Sequence, residues 1–178
     1  NQNRIDLIFE IDEGPLSKIR NIAFLGNEKF SDSELASVIN TKEYAFWKIL
    51  TTGDTYDPDR LSYDRELLRR FYLNEGYVDF KVLSAVAELT PDQKDFVVTF
   101  SIDEGKRYRF GDMDLALNLK GVEKQELMPL LATIQGDWYE AEAINETIDA
   151  ITDELGERGF AFGNVRPISD RRREEGIM

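Results

Sequence analysis

A chain of 178 residues has room for one large domain or two small ones of roughly 50 to 100 residues each. Hydrophobic residues make up 42% and charged residues 32%, the balance of a folding globular chain, and the net charge of −13 repels phosphate backbones and anionic lipid, which excludes nucleic acid as an expected partner. The absence of cysteine and histidine removes disulfides, thiol chemistry, zinc sites built on those donors and His-dependent triads, and no apolar run approaches the ~20 residues of a membrane helix.

At the start of the chain, IDLIFEI (5–11) places Ile5, Leu7, Phe9 and Ile11 on one face of a strand, which stops at Asp12-Glu13-Gly14. The hexapeptide FEIDEG (9–14) returns as FSIDEG (100–105), 100 − 9 = 91 positions further on. Glycine there supplies a tight exit, so the echo predicts a repeated structural unit, not a ligand site. A second strand follows in LSKIRNIAFLGN (16–27). Ser31-x-x-Glu34 forms a capping box ahead of a helix whose apolar stripe is Leu35, Val38 and Ile39. The segment TKEYAFWKILTTGDTY (41–56) carries Tyr44, Phe46 and Trp47, which either pack back on their own domain or stand out as a contact surface.

Asp57-Pro58 opens a longer helix, an N-cap aspartate before proline at the first helical position, with Leu61, Leu68 and Tyr72 on its apolar face and Gly76 as its stop. Two strands complete the unit, one from Phe80 to Leu89 and FVVTFSI at 96–102. The order then begins again. RYRFGDMDLALN (107–118) corresponds to the first strand, and Leu127, Leu130 and Leu131 repeat the first stripe at 127 − 35 = 92. Ile144, Ile148, Ile151 and Leu155 repeat the second at 144 − 61 = 83, so the first copy holds 92 − 83 = 9 extra residues between its helices. Gly159 and a strand near 160–168 follow. The predicted organisation is a closing strand of a preceding unit at 1–14, a complete βααββ unit at 15–105, and a second unit at 106–178 without its last strand; a further copy is expected after Met178.

Other signals point to ordinary structure. Asp112 and Asp114 fit polar alternation on a strand, and Asp54, Asp57 and Asp59 miss the EF-hand ligand pattern, so neither a metal nor a cofactor is expected. Gly156-Glu-Arg-Gly159 has the form of a KH loop but leads from a helix into a strand in an acidic chain, and the basic run Arg171, Arg172, Arg173 is followed at once by Glu174 and Glu175. Asn145-Glu-Thr147 fits a glycosylation sequon but falls inside a helix pattern. No carboxylate is paired with a nucleophile, base or oxyanion donor set, so the chain does not read as an enzyme.

The unit order, the glycine turn closing each unit, FYLNEGYVDF (71–80) and LGERGFAFGNV (155–165) resemble the POTRA domain. Tandem units with Glu-Gly at each junction are similar to the periplasmic part of Omp85-family outer-membrane assembly factors, and 89–105 and 134–148 are most similar to the third and fourth of five such repeats. One departure is Leu115-x-x-Asn118, which lacks the usual Gly-Asn turn. The resemblance implies an α+β fold of tandem POTRA domains, each a three-stranded mixed sheet covered on one face by two helices. It implies a periplasmic scaffold of the β-barrel assembly machinery that binds unfolded outer-membrane proteins by β-augmentation, docks accessory lipoproteins, and meets the membrane only through a carboxy-terminal barrel outside this chain. A related exporter or autotransporter-assembly protein is the alternative, and a ligand-binding α+β domain a distant one.

In the family topology the penultimate strand lies at a sheet edge, where unpaired backbone groups can accept an extended segment. The candidate partner-binding residues are therefore Phe80, Lys81, Val82, Leu83, Ser84, Ala85, Val86, Ala87 and Leu89, with Ala87 and Leu89 at positions similar to family sites of lipoprotein contact. The corresponding edge of the second unit, 162–168, is disfavoured by Pro167, which lacks a donor.

Overall fold

The computed structural model describes residues 9, 17–45, 54–119, 121–160 and 163–178. The expected closing strand at 1–14, apart from Phe9, and the residues Phe46, Trp47 and Phe162 lie outside the described residues. The first strand, β1 (Lys18–Leu25), buries Ile19, Ile22 and Phe24. Strict alternation would put Ile19 and Ile22 on opposite faces; a register shift between Ile19 and Asn21 inserts one residue and returns both to the core.

Helix α1 (Asp32–Val38) starts as the capping box predicts: the Ser31 hydroxyl accepts the Glu34 N–H at 3.3 Å and the Glu34 carboxylate accepts the Ser31 N–H at 2.7 Å. Helix α2 (Pro58–Asn74) starts at Asp57, whose carboxylate accepts the N–H groups of Asp59 and Arg60 at 2.9 and 3.4 Å. The two helices are tied by a buried carboxylate, since Asp64 of α2 accepts the N–H groups of Asn40 and Thr41 at 2.7 and 3.1 Å just beyond α1. Those donors follow the C-terminal end of α1 and take part in no intrahelical bond, and burying a backbone N–H unpaired costs about 1–3 kcal/mol.

Strands β2 (Lys81–Leu89) and β3 (Asp95–Asp103) complete a three-stranded mixed sheet of order β1-β3-β2, in which β3 runs parallel to β1 and antiparallel to β2. The predicted fold class holds. Val98, Phe100 and Ile102 face the helices and meet Ile22 and Phe24 from β1 and Leu35, Ile39, Leu61, Leu68 and Tyr72 from α1, its C-cap and α2. Aromatic rings close one end of this core: Tyr72 stacks on Phe80 at 4.0 Å between centroids and meets Phe30 and Tyr77 edge-on.

The recurring Asp-Glu-Gly has a structural role at 103–105. Glu104 is buried and accepts the Tyr72 hydroxyl at 2.9 Å and the Lys29 N–H at 3.1 Å, while Asp103 accepts the Gly105 N–H at 3.1 Å. Gly105 has φ +68°, and a Cβ there would lie 2.8 Å from the Asp79 Cβ, so the position excludes a side chain twice over.

The second unit departs from expectation in two ways. Its first helix is one turn, α3 (Lys124–Leu127), passing into a 3-10 turn at Met128–Leu130, because Pro129 supplies no N–H for a continuing α-helix. Helix α4 (Ala141–Glu157) forms at the predicted place and buries Ile151 and Leu155 against Leu127 and Val122. Residues 107–118 and 163–168, expected as strands, carry no strand; only isolated bridges join Arg109 to Trp138 and Ile177, and Arg172 to Ile177. In the first unit the outer strands never pair with each other, each pairing with β3 alone. Among the described residues of 106–178 no strand takes that central role, so their extended segments have no ladder to join. The period-2 signal still acts, since Asp112, Asp114, Ala116 and Asn118 are exposed while Leu115, Leu117 and Leu119 turn toward the small core.

No linker separates the units. The Tyr108 N–H donates to the Gly76 carbonyl at 2.9 Å, the Tyr108 hydroxyl to Asp79 at 2.7 Å, and the Arg107 Nε to the Glu75 carbonyl at 2.6 Å. Arg171 and Arg173 reach the other Asp79 oxygen at 2.6 and 3.3 Å. Trp138 lies between the guanidinium groups of Arg107 and Arg109, 4.3 and 3.6 Å from its ring centroid.

Candidate partner-binding edge

A sheet of order β1-β3-β2 has two edges, and the described residues treat them differently. The outer side of β1 is occupied: the Ile19 N–H donates to the Asp54 carbonyl and the Tyr44 N–H to the Ile19 carbonyl, both at 2.7 Å, and the Ile22 N–H donates to the Glu43 carboxylate at 2.8 Å. Lys18 adds a 3.0 Å ion pair to the buried Asp54. Tyr44, one of the predicted contact-loop aromatics, is half-exposed, with the Lys18 ammonium 5.6 Å from its ring centroid.

Among the described residues, no strand pairs with the outer side of β2. At the turn into β3 the Thr90 N–H donates to the Asp95 carbonyl at 2.8 Å, which sets the alternation of the antiparallel ladder. Glu88, Val86 and Ser84 therefore point their backbone groups at β3, and Leu89, Ala87 and Ala85 point theirs outward. The side chains of Ala85 and Ala87 face the helix layer and pack at the margin of the core.

Of the other predicted edge residues, Phe80 is buried against Tyr72 ahead of the strand, Val82 packs inward, and Ser84 is half-buried. Lys81, Leu83, Val86 and Leu89 are exposed. A register shift between Val82 and Ser84 makes Leu83 a bulge, 65% exposed, and bulges blunt an edge against unwanted pairing. A second guard comes from the helix: the Arg65 Nη2 donates to the outward carbonyl of Ala85 at 3.2 Å. Sequence reasoning missed Arg65, because nothing in the one-dimensional pattern relates position 65 to position 85. The alternative edge at 163–168 forms no strand.

The space between α2 and the start of β2 is a groove of about 340 Å³, lined by Arg65, Glu66 and Arg69 on the helix and Phe80, Lys81 and Val82 on the strand side. Among the described residues there is no cluster of metal-ligating side chains and no helix long and apolar enough to cross a membrane.

Residues 17–105 and 108–176 both match the POTRA family, described as surface antigen variable number repeat. The chain is 30% identical over 164 residues to the outer membrane protein assembly factor BamA of Neisseria meningitidis serogroup B, covering 92% of this chain and 21% of that protein. It is 31% identical over 169 residues to BamA of Buchnera aphidicola subsp. Acyrthosiphon pisum, covering 94% and 27%. It thus spans roughly a quarter of the length of these relatives. Among solved structures it is similar to the Haemophilus influenzae BamA POTRA3-5 crystal structure, with a TM-score of 0.74 and 25% identity over 94% of this chain and 65% of that one. With a βααββ unit whose three strands, two helices and glycine exits fall where these comparisons align, this chain belongs to the POTRA family.

Proposed function

We propose that this chain is a periplasmic interaction scaffold of an outer-membrane β-barrel assembly machinery. It receives unfolded outer-membrane proteins by strand addition on β2 and docks accessory lipoproteins. The observation that carries the reading is the open edge of β2, where Ala85, Ala87 and Leu89 turn N–H and C=O groups outward while the opposite edge is occupied. An incoming strand pairs with backbone, so affinity depends little on its sequence, which suits a receiver of many different β-rich clients. The relatives' names, outer membrane protein assembly factors, give the setting.

The test is to titrate the ¹⁵N-labelled chain with an extended peptide from an outer-membrane strand and with the same peptide N-methylated at alternate amides. Amide shifts are expected at Ala85, Ala87 and Leu89 with the first peptide and none with the second. Shifts that avoid 80–89 and gather on α1 and α2 would refute the reading.

A further inference from the structure

The groove beside the open edge is positively charged in a strongly acidic protein. Its lining holds Arg65, Arg69 and Lys81 against Glu66 alone, and the Glu66 carboxylate is already engaged by Arg70 at 3.1 Å and Arg69 at 3.8 Å. The whole chain carries 22 basic against 35 acidic residues. Arg69 sits one turn beyond the adjacent Arg65 and Glu66, and all three line the groove between α2 and β2. Lys81 is exposed at the strand's start, and no ion pair reaches it among the described residues.

Arg65 makes this more than a charged rim. Its guanidinium donates to the Ala85 carbonyl, which a strand added to this edge needs for its own N–H. Strand addition therefore displaces Arg65 and frees a cation beside the α2-facing side chains of the newcomer. A carboxylate at that position gives the released guanidinium a new partner, with Lys81 and Arg69 close by. An amide or hydroxyl compensates it less, and a lysine repels it.

We propose that the β2 edge selects extended segments that carry an Asp or Glu side chain on the face turned toward α2, and that Arg65 reads that carboxylate by moving from the Ala85 carbonyl to it. This rests on the strand-addition reading above and adds a chemical preference to it. Ion pairs at such a partly exposed site are individually weak, so the expected preference of acid over amide is about two- to fivefold.

The experiment uses the whole 178-residue chain and soluble alternating Val/Thr decapeptides with Glu, Gln or Lys at one central position, each with a free or amidated C-terminus. Affinity is measured at low and high salt while the amides of Ala85, Ala87 and Leu89 are followed by NMR. The Glu peptide should bind about two- to fivefold more tightly than the Gln peptide and the Lys peptide most weakly, with the gap closing in high salt. Arg65→Gln should erase the difference between Glu and Gln. Lys81→Gln, at an exposed position without an ion-pair partner, should reduce it about twofold while leaving the melting temperature unchanged. Equal affinities with the edge amides still shifting would overturn the acid preference and leave strand addition standing. A preference that follows the free C-terminus would overturn it in favour of a chain end as occupant. Absence of edge shifts with every peptide would overturn both readings together.

Discussion

The two units of this chain share a sequence pattern but not a degree of structural completion. The first has a central strand flanked by two others and a core running from Ile19 through Phe100 to Leu68. The second has α3, α4, extended segments joined by single bridges, and two smaller apolar clusters, one around Leu127 and Ile151 and one of Tyr108, Phe110 and Tyr139 at the junction. Both show apolar residues at strand and helix periods. The comparison separates two things a strand needs: alternation, which 111–119 retains, and a neighbour to pair with, which the first unit finds in β3. Alternation buries side chains, whereas only pairing satisfies the backbone.

The contrast is most exposed to core truncation. Phe100→Ala on β3 should cost about 3–5 kcal/mol and unfold the first unit cooperatively, while Leu127→Ala, though equally buried, should cost nearer to about 2 kcal/mol because its small cluster can collapse around the loss. Denaturant unfolding of both variants checks this, and equal costs would break the asymmetry.

Next in size is the junction. Asp79→Asn weakens the bonds from Tyr108, Arg171 and Arg173 together, and should cost about 1–3 kcal/mol of the coupling between units. NMR relaxation should then show the units tumbling more independently than in the unmodified chain. Acid offers a second handle. The Tyr108 hydroxyl bond, helped by Arg171 and Arg173, holds the Asp79 carboxyl below the usual aspartate range, against an opposing push from burial. A depressed folded-state pKa stabilises above the unfolded value of about 3.9 and is lost as pH falls through the lower folded value. Coupling should hold from pH 7 to 5 and fail below about pH 4; failure already at pH 6 would remove Asp79 from its cause.

Helix ends supply a smaller test. Ser31→Ala should cost the first unit about 1 kcal/mol. The N-cap residues of α3 and α4, Glu123 and Glu140, make no capping bond, although Asn74 accepts the Glu142 N–H at 3.2 Å; Glu140→Ser, with the Ala143 N–H left to cap, should stabilise the second unit by about 0.5 kcal/mol in thermal melts. The smallest stability effect is expected from Ala87→Pro. The outward N–H it removes has no partner, so the fold should lose little, while strand addition should be abolished in the peptide titration.

Much of the first unit was legible in one dimension. Ser31 with Glu34, and Asp57 with Pro58, mark helix starts by local chemistry, and Leu35, Leu68 and Tyr72 lie on the faces their spacing predicts. The placement of β2 at an edge came from family resemblance, not from the residues. The loss of a strand at 107–118 was not legible, because the alternation there is that of a paired strand, whereas Pro167 already argued against pairing at 163–168. The shortening of α3 was: Pro129 stands in the middle of the expected helix, and the leucine stripe outweighed it wrongly.

The sequence alone determined the repeat, its period, the helix caps and the apolar faces, since each depends on residues within about two turns or on hydrophobic spacing. Tertiary structure decided what Asp-Glu-Gly is for, by bringing Glu104 to Tyr72 and Lys29 and Asp79 against Gly105. It also decided which edge stays open, by laying residues 43–44 and 54–55 along β1 and, among the described residues, only Arg65 across β2. Those are contacts between residues distant in sequence, and their energies depend on distance in space, which spacing along a chain does not record.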